Sequence, residues 1–113
     1  MGKFKTSLVG VTFEGRQVNV RLVATGQKLF WINENNPHDA NAMLIFADEE
    51  KKVQLGHLRA ELAAKLMDRA RKKSCEYEIF ADKVTGGGID FLGRQKNYGL
   101  NVIIYTRWLK RTQ

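Results

Sequence analysis

Short apolar runs separated by turn residues fill most of this chain, and they limit the folds open to it. In one run Val18, Val20 and Leu22 alternate with Asn19 and Arg21, which predicts a half-buried strand. The other runs also have the length and composition of strands, and together they indicate a hairpin-rich β structure. The runs are "TSLVGVTFEG" (6–15), "QVNVRLVAT" (17–25), "KLFWIN" (28–33), "AMLIFA" (42–47), "VQLG" (53–56), "CEYEIFADKV" (75–84) and "GLNVIIYTRW" (99–108).

One segment has a different period. Between Arg59 and Lys73 the apolar side chains recur at helical spacing and cations occupy the other faces, which predicts one amphipathic helix. The apolar positions are Leu62, Ala63, Leu66, Met67 and Ala70. Several short strands and one helix in 113 residues predict a single domain, 1–113. We expect a mainly β (α+β) fold, a small oligonucleotide-binding-like or SH3-like barrel of about six strands with one principal amphipathic helix.

Charge suggests what such a domain binds. The net charge is +7, which favours a polyanionic partner such as nucleic acid, although solubility alone also accounts for a basic surface. The surplus lies in three blocks: residues 1–30 have five Lys/Arg against one acid, residues 59–75 have six against two, and residues 100–113 have three against none. We expect the blocks at 1–30 and 59–75 to share one face with the polar segment at residues 33–43.

Other function classes find little support in the sequence. One cysteine and two histidines provide neither an internal disulfide nor a set of zinc ligands, so we expect no cofactor. No signal peptide or membrane-spanning run is present, and the cytoplasm is the expected compartment. Ser7, Ser74 and Cys75 have no plausible catalytic partners nearby in sequence, and "TGGG" (85–88) lacks the ending of a phosphate-binding loop. We therefore expect no enzymatic activity.

The most unusual segment is "NENNPHDANAM", residues 33–43, hereafter the elbow. It holds four asparagines, the only proline and one of the two histidines, between two apolar strand runs. Asn-Pro opens turns, and Asp39 is placed to cap a short helical turn after it. The elbow is therefore either a connection between strands or a site for a polar ligand.

Four motifs, taken in order, resemble one known family. They are "VGVTFEGRQ" (9–17), "NNPHDANAM" (35–43), "GHLRAELAAKL" (56–66) and "KVTGGG" (83–88) followed by "YGLNVII" (98–104). Their order and spacing resemble the HIRAN domain, a module of Swi/Snf-class DNA translocases that also occurs as free-standing proteins in bacteria and phages. The resemblance spans about Thr6 to Tyr105.

The resemblance implies a DNA-binding barrel, which in a translocase of this class captures the 3′-hydroxyl end of a single strand. By position, it implies that Asn36, His38 and Asp39 surround the terminal nucleotide. Asp39 would accept a hydrogen bond from the free 3′-hydroxyl. Phe13 matches a position that faces a base, and His57 matches a phosphate contact.

The chain also departs from the family pattern. His38 stands where tyrosine is frequent, Thr12 where the DNA-end binder has a basic residue, and Ala60 where it has lysine. Arg16 and Arg59 are the cations expected to compensate.

Each contact has a structural alternative. Phe13 would pack in the core, as strand aromatics usually do, and His57 would satisfy a backbone carbonyl. The helix cations Arg69, Arg71, Lys72 and Lys73 are expected to be solvated surface. The sequence thus predicts a module that binds single-stranded DNA or 3′-hydroxyl DNA ends in repair or replication, with a helicase or nuclease as protein partner. The alternative is a protein-interaction domain that docks a partner chain in the same groove.

Overall fold

The computed structural model describes residues 2–13 and 15–109, and these form six strands and two helices. The strands are β1 (Gly2–Ser7), β2 (Lys28–Asn33), β3 (Met43–Phe46), β4 (Gln54–His57), β5 (Cys75–Gly86) and β6 (Tyr98–Trp108), and the helices are α1 (Arg16–Arg21) and α2 (Ala60–Arg71). No described helix is long and apolar enough to cross a lipid bilayer.

The strands form one antiparallel sheet in the order β1-β6-β5-β2-β3-β4. Its two ends approach each other, because Val9, just after β1, exchanges two backbone hydrogen bonds of 2.8 Å with His57 of β4. The sheet is therefore curled into a half-barrel. This confirms the predicted mainly β, oligonucleotide-binding-like fold.

The core lies inside the curl and is closed by α2. Ala63 and Leu66 of α2 are 0% and 1% exposed and belong to the same cluster as Ile79 and Ile104 of the central strands. The Tyr77 hydroxyl donates a hydrogen bond of 3.1 Å to the Leu66 carbonyl and ties β5 to the helix. The predicted helix, 59–73, agrees with α2 to within two residues at each end.

The second predicted strand, 17–25, is wrong, because its first half is helix α1. Gly15, at φ 74°, redirects the chain, and the helix then buries Arg16 and Val20, four positions apart. Val18 and Leu22 remain 58% and 72% exposed, so the alternation of apolar residues did not mark a buried face. The predicted single helix is thus accompanied by a second, short one.

The first predicted strand, 6–15, is also displaced, because β1 covers Gly2–Ser7. In β1 the exposed Lys3 and Lys5 alternate with the half-buried Phe4. The strand was predicted too late in the chain because the apolar run that follows β1 is longer. Phe13 lies in a bend before α1 and not on a strand.

Candidate nucleic-acid interface

The elbow is held together by its own polar side chains. The main chains of Asn36 and Asp39 exchange two hydrogen bonds of 3.2 Å. Asn36 Oδ1 accepts from the backbone N–H groups of His38 (3.0 Å) and Asp39 (2.7 Å), and Asp39 Oδ1 accepts from that of Asn41 (2.9 Å). Such bonds explain why Asn and Asp are frequent in turns. Asp39 therefore stabilises the turn with one carboxylate oxygen, and its Oδ2 has no hydrogen bond within the described residues.

Arg71, at the end of α2, connects the helix to the elbow by hydrogen bonds. Its Nη1 donates to Asn41 Oδ1, and its Nη2 donates to the Ala40 carbonyl at 3.0 Å and to Asn33 Oδ1 at 3.4 Å. Arg71 was expected to be solvated surface. It is exposed, as expected, but its guanidinium is bound to the elbow.

Glu34 links the elbow to the start of α2. Its Oε1 accepts from Asn36 Nδ2 at 2.8 Å and lies 3.2 Å from His57 Nε2. The hydrogen bond from Asn36 lowers the pKa of the Glu34 carboxyl; burial opposes this shift, and His57 adds to it. Glu34 was not among the site residues predicted from the sequence, because its contacts with Asn36 and His57 depend on how the elbow packs against β4.

The Gly-His-Leu segment has a physical reason at each position. A Cβ at Gly56 would lie 2.7 Å from the Val9 carbonyl oxygen, so only glycine lets the two ends of the sheet meet here. His57 forms the bridge to Val9, and Leu58 is buried at 2% exposure. The sequence then enters α2, whose N-terminus has no side-chain cap. Its first amide hydrogens therefore remain available to an acceptor.

These segments line an open cleft of about 440 Å³, hereafter the elbow cleft. Five of the seven predicted site residues line it: Phe13, Asn36, His38, Asp39 and His57. Phe13 is 63% exposed, so the alternative that it packs in the core is wrong. Glu34 also lines the cleft, whereas no described Lys or Arg does. Although carboxylates and imidazoles share this cleft, no three of the described His, Cys, Asp or Glu side chains are grouped to hold a metal ion.

The two predicted arginines lie outside the lining. Arg16 is only 4% exposed; its Nη1 donates to the Gly10 carbonyl at 2.8 Å and its Nη2 to Gln54 Oε1 at 3.0 Å. It supports the wall of the elbow cleft from behind. Arg59 is exposed at the N-cap of α2, next to Ala60, which lines the cleft.

A comparison with known families identifies the chain. The model of the HIRAN domain matches residues 1–97. The chain belongs to the HIRAN domain family. HIRAN domains are DNA-binding modules. The crystal structure of the HIRAN domain of human HLTF is similar to this one, with a TM-score of 0.65, 21% sequence identity, and coverage of 95% of this chain and 75% of that chain. At that identity the likeness shows a shared fold. No curated protein matches the chain.

In this HIRAN domain the basic blocks do not all converge on the elbow cleft. Arg16 adjoins the elbow cleft. Gly10 lines the cleft, and a Cβ added to Gly10 would lie 3.3 Å from Arg16 Nη1. Lys5 and Lys28, however, pair with Asp82 and Glu78 of β5, at 3.7 and 3.6 Å, beside a different cleft. The expectation that the block at 1–30 shares a face with the elbow is therefore wrong for Lys5 and Lys28.

Proposed function

We propose that this HIRAN domain captures the 3′-hydroxyl end of single-stranded DNA in the elbow cleft. The observation that carries the proposal is the state of Asp39. It lines the cleft, the elbow uses one of its carboxylate oxygens, and the other is left for a donor. A 3′-hydroxyl is such a donor, and an interior phosphodiester is not.

The charges of the lining favour a strand end over a strand interior. A groove that tracks the nucleic-acid backbone needs cations for the phosphates. The elbow cleft instead presents the carboxylates of Glu34 and Asp39 and two imidazoles. This set suits a sugar hydroxyl and repels a terminal phosphate.

The surroundings provide contacts for the rest of the terminal nucleotide. Phe13 offers an exposed ring, and stacking on an aromatic side chain contributes roughly 1–3 kcal/mol per base. The uncapped N-terminus of α2 and the exposed Arg59 adjoin the cleft and suit the next phosphate along the strand. His57, whose Nε2 lies 3.2 Å from Glu34 Oε1, also lines the cleft.

The biological setting rests on the family resemblance. Because the module occurs in Swi/Snf-class translocases, we place its action in DNA repair or replication, where it would present strand ends to a helicase or nuclease. Presenting a strand end to such an enzyme requires binding and no catalysis by this domain.

The substitution Asp39→Ala tests the proposal. Loss of a charge-assisted acceptor should weaken binding to a 3′-hydroxyl strand by about 1.5–3 kcal/mol, roughly 10- to 150-fold. Fluorescence anisotropy with otherwise identical 3′-hydroxyl and 3′-phosphate strands should show preference for the hydroxyl in the wild type and little preference in the variant. Asp68→Ala, which removes an exposed carboxylate from α2, is the matched control.

The turn-only interpretation of Asp39 predicts a different result. The variant would be less stable by about 0.5–2 kcal/mol and would melt at a lower temperature. The ratio of its affinities for the 3′-hydroxyl and 3′-phosphate strands would not change. That outcome would reject end capture by Asp39.

A salt series separates DNA binding from the alternative, a partner chain docked in the same cleft. Binding that involves phosphates weakens steeply as ionic strength rises, whereas apolar docking does not. We expect the steep dependence.

A further inference from the structure

A second and larger cleft, of about 840 Å³, opens where β2 and β5 part. It shares no lining residue with the elbow cleft. β2 pairs with β5 only at Lys28 and Leu29, then turns away to pair with β3. Beyond this point, no described strand pairs with Cys75–Glu78 on the side away from β6.

This open edge has hydrogen-bonding groups to offer. The N–H of Ala81 donates to the Gln27 carbonyl, and the Ala81 carbonyl accepts from the N–H of Gly26, both at 2.8 Å. Because the groups of every second residue in a strand point to the same side, those of Tyr77 and Cys75 point to the open side too. An extended segment laid there would continue the sheet, as in β-strand addition.

The side chains around the edge define what such a segment must carry. Glu76 and Glu78 alternate with the inward-facing Cys75 and Tyr77 and have side chains 56% and 61% exposed. The rings of Trp31 and Tyr77 meet edge to face at 6.5 Å and line the same cleft. An added strand would thus place alternate side chains beside carboxylates and the others beside aromatic rings.

The charge of this cleft contrasts with that of the chain. Its lining has three carboxylates (Glu76, Glu78 and Asp82) against two cations (Lys28 and Arg107), in a protein with a net charge of +7. The carboxylates pair with neighbouring cations, such as Glu78 with Lys28 at 3.6 Å. Such exposed ion pairs contribute little to the stability of the fold, so the carboxylates can pair with cations of a partner instead.

We propose that this edge of β5 binds a short extended segment of a partner protein, with Lys or Arg at alternate positions and apolar residues between them. Nucleic acid fits poorly, because its phosphates would meet three carboxylates. A second copy of β5 fits poorly as well, because Glu76 and Glu78 would face their own like charges. The proposal does not depend on the function of the elbow cleft.

The test uses two fluorescein-labelled peptides of seven residues, one with lysine and valine alternating and one with four lysines followed by three valines. Their composition and charge are identical. Fluorescence anisotropy with the full chain should show the alternating peptide binding at least about tenfold more tightly than the block peptide. The double substitution Glu76→Gln and Glu78→Gln should weaken this binding at least about fivefold.

The matched control is Glu49→Gln with Glu50→Gln, which removes two charges from an exposed turn outside the cleft and should leave peptide binding unchanged. Equal affinity for the two peptides would overturn the proposal, since it would indicate attraction by charge alone. So would an unchanged affinity in the Glu76 and Glu78 variant, or undiminished binding of an alternating peptide whose backbone amides are N-methylated. Competition of a short single-stranded DNA for the peptide site, retained when Asp39 is replaced by Ala, would assign the cleft to nucleic acid instead.

Discussion

Replacement of Arg71 by alanine should loosen the elbow without touching the elbow cleft. The guanidinium donates to three acceptors of the elbow, on Asn41, Ala40 and Asn33. It does not line the cleft, so any effect on DNA must act through the position of the elbow. Arg71 is thus a positioning residue.

The magnitude follows from the geometry. Hydrogen bonds to a charged group contribute about 1.5–3 kcal/mol where they are desolvated, but this side chain is exposed and one of its bonds is long, at 3.4 Å. We therefore expect a loss of about 1 kcal/mol, which for a chain of this size lowers Tm by about 4 °C. If the elbow is in place in a correspondingly smaller fraction of folded molecules, affinity for a 3′-hydroxyl strand falls about two- to fivefold.

Thermal melting and fluorescence anisotropy on the same preparation measure both effects. Arg71→Lys should be intermediate, because an ammonium cannot reproduce the planar fork. Lys65→Ala removes a charge from an exposed position of the same helix and serves as the control. If Arg71→Ala matches Lys65→Ala in both melting temperature and affinity, the guanidinium is ordinary solvated surface and the reasoning fails.

Three further results are expected. Gly56→Ala should destabilise the fold by about 1–3 kcal/mol, measured by denaturant unfolding, because its Cβ would meet the Val9 carbonyl at 2.7 Å; an unchanged midpoint would refute the close approach. Lys72→Ala and Lys73→Ala should leave DNA affinity nearly unchanged, since neither side chain reaches the elbow cleft; a large loss in anisotropy would place the binding face elsewhere. The pKa of Glu34 is lower in the folded chain than its ordinary value of 4.5, so its stabilising effect is present above that pH and is lost as pH falls through the folded pKa. The Tm difference between wild type and Glu34→Gln should therefore shrink on acidification, and a difference that grows would contradict this.

The sequence pattern predicted α2 and five of the six strands. The helical spacing of Leu62, Leu66 and Met67 placed α2, and the strand runs placed β2 through β6. Helix α1 was not predicted, because six residues are too few to distinguish the two-residue period of a strand from the 3.6-residue period of a helix. Its positions are fixed by tertiary contacts, such as that of Asn19 Nδ2 with the Gln54 carbonyl at 2.9 Å, which no local pattern shows.

The site was predictable in its membership and less so in its supports. The polar elbow and the Gly-His-Leu segment marked residues that the structure brings into one cleft. The contacts of Glu34 and Arg71 depend on how the elbow packs against β4 and α2, so spacing along the chain gave no sign of them. The burial of Arg16 was hidden for the same reason, because one of its partners, Gln54, lies on strand β4, far along the chain.

If the elbow cleft recognises a strand end, a strand without ends should bind to it poorly. Affinity should be measured for one oligonucleotide sequence in two forms, linear with a free 3′-hydroxyl and covalently closed into a circle, at the same ionic strength. Loss of the hydroxyl contact predicts that the circle binds at least about tenfold more weakly than the linear strand. Equal affinity for the two forms would contradict end capture and leave the elbow as a structural connection.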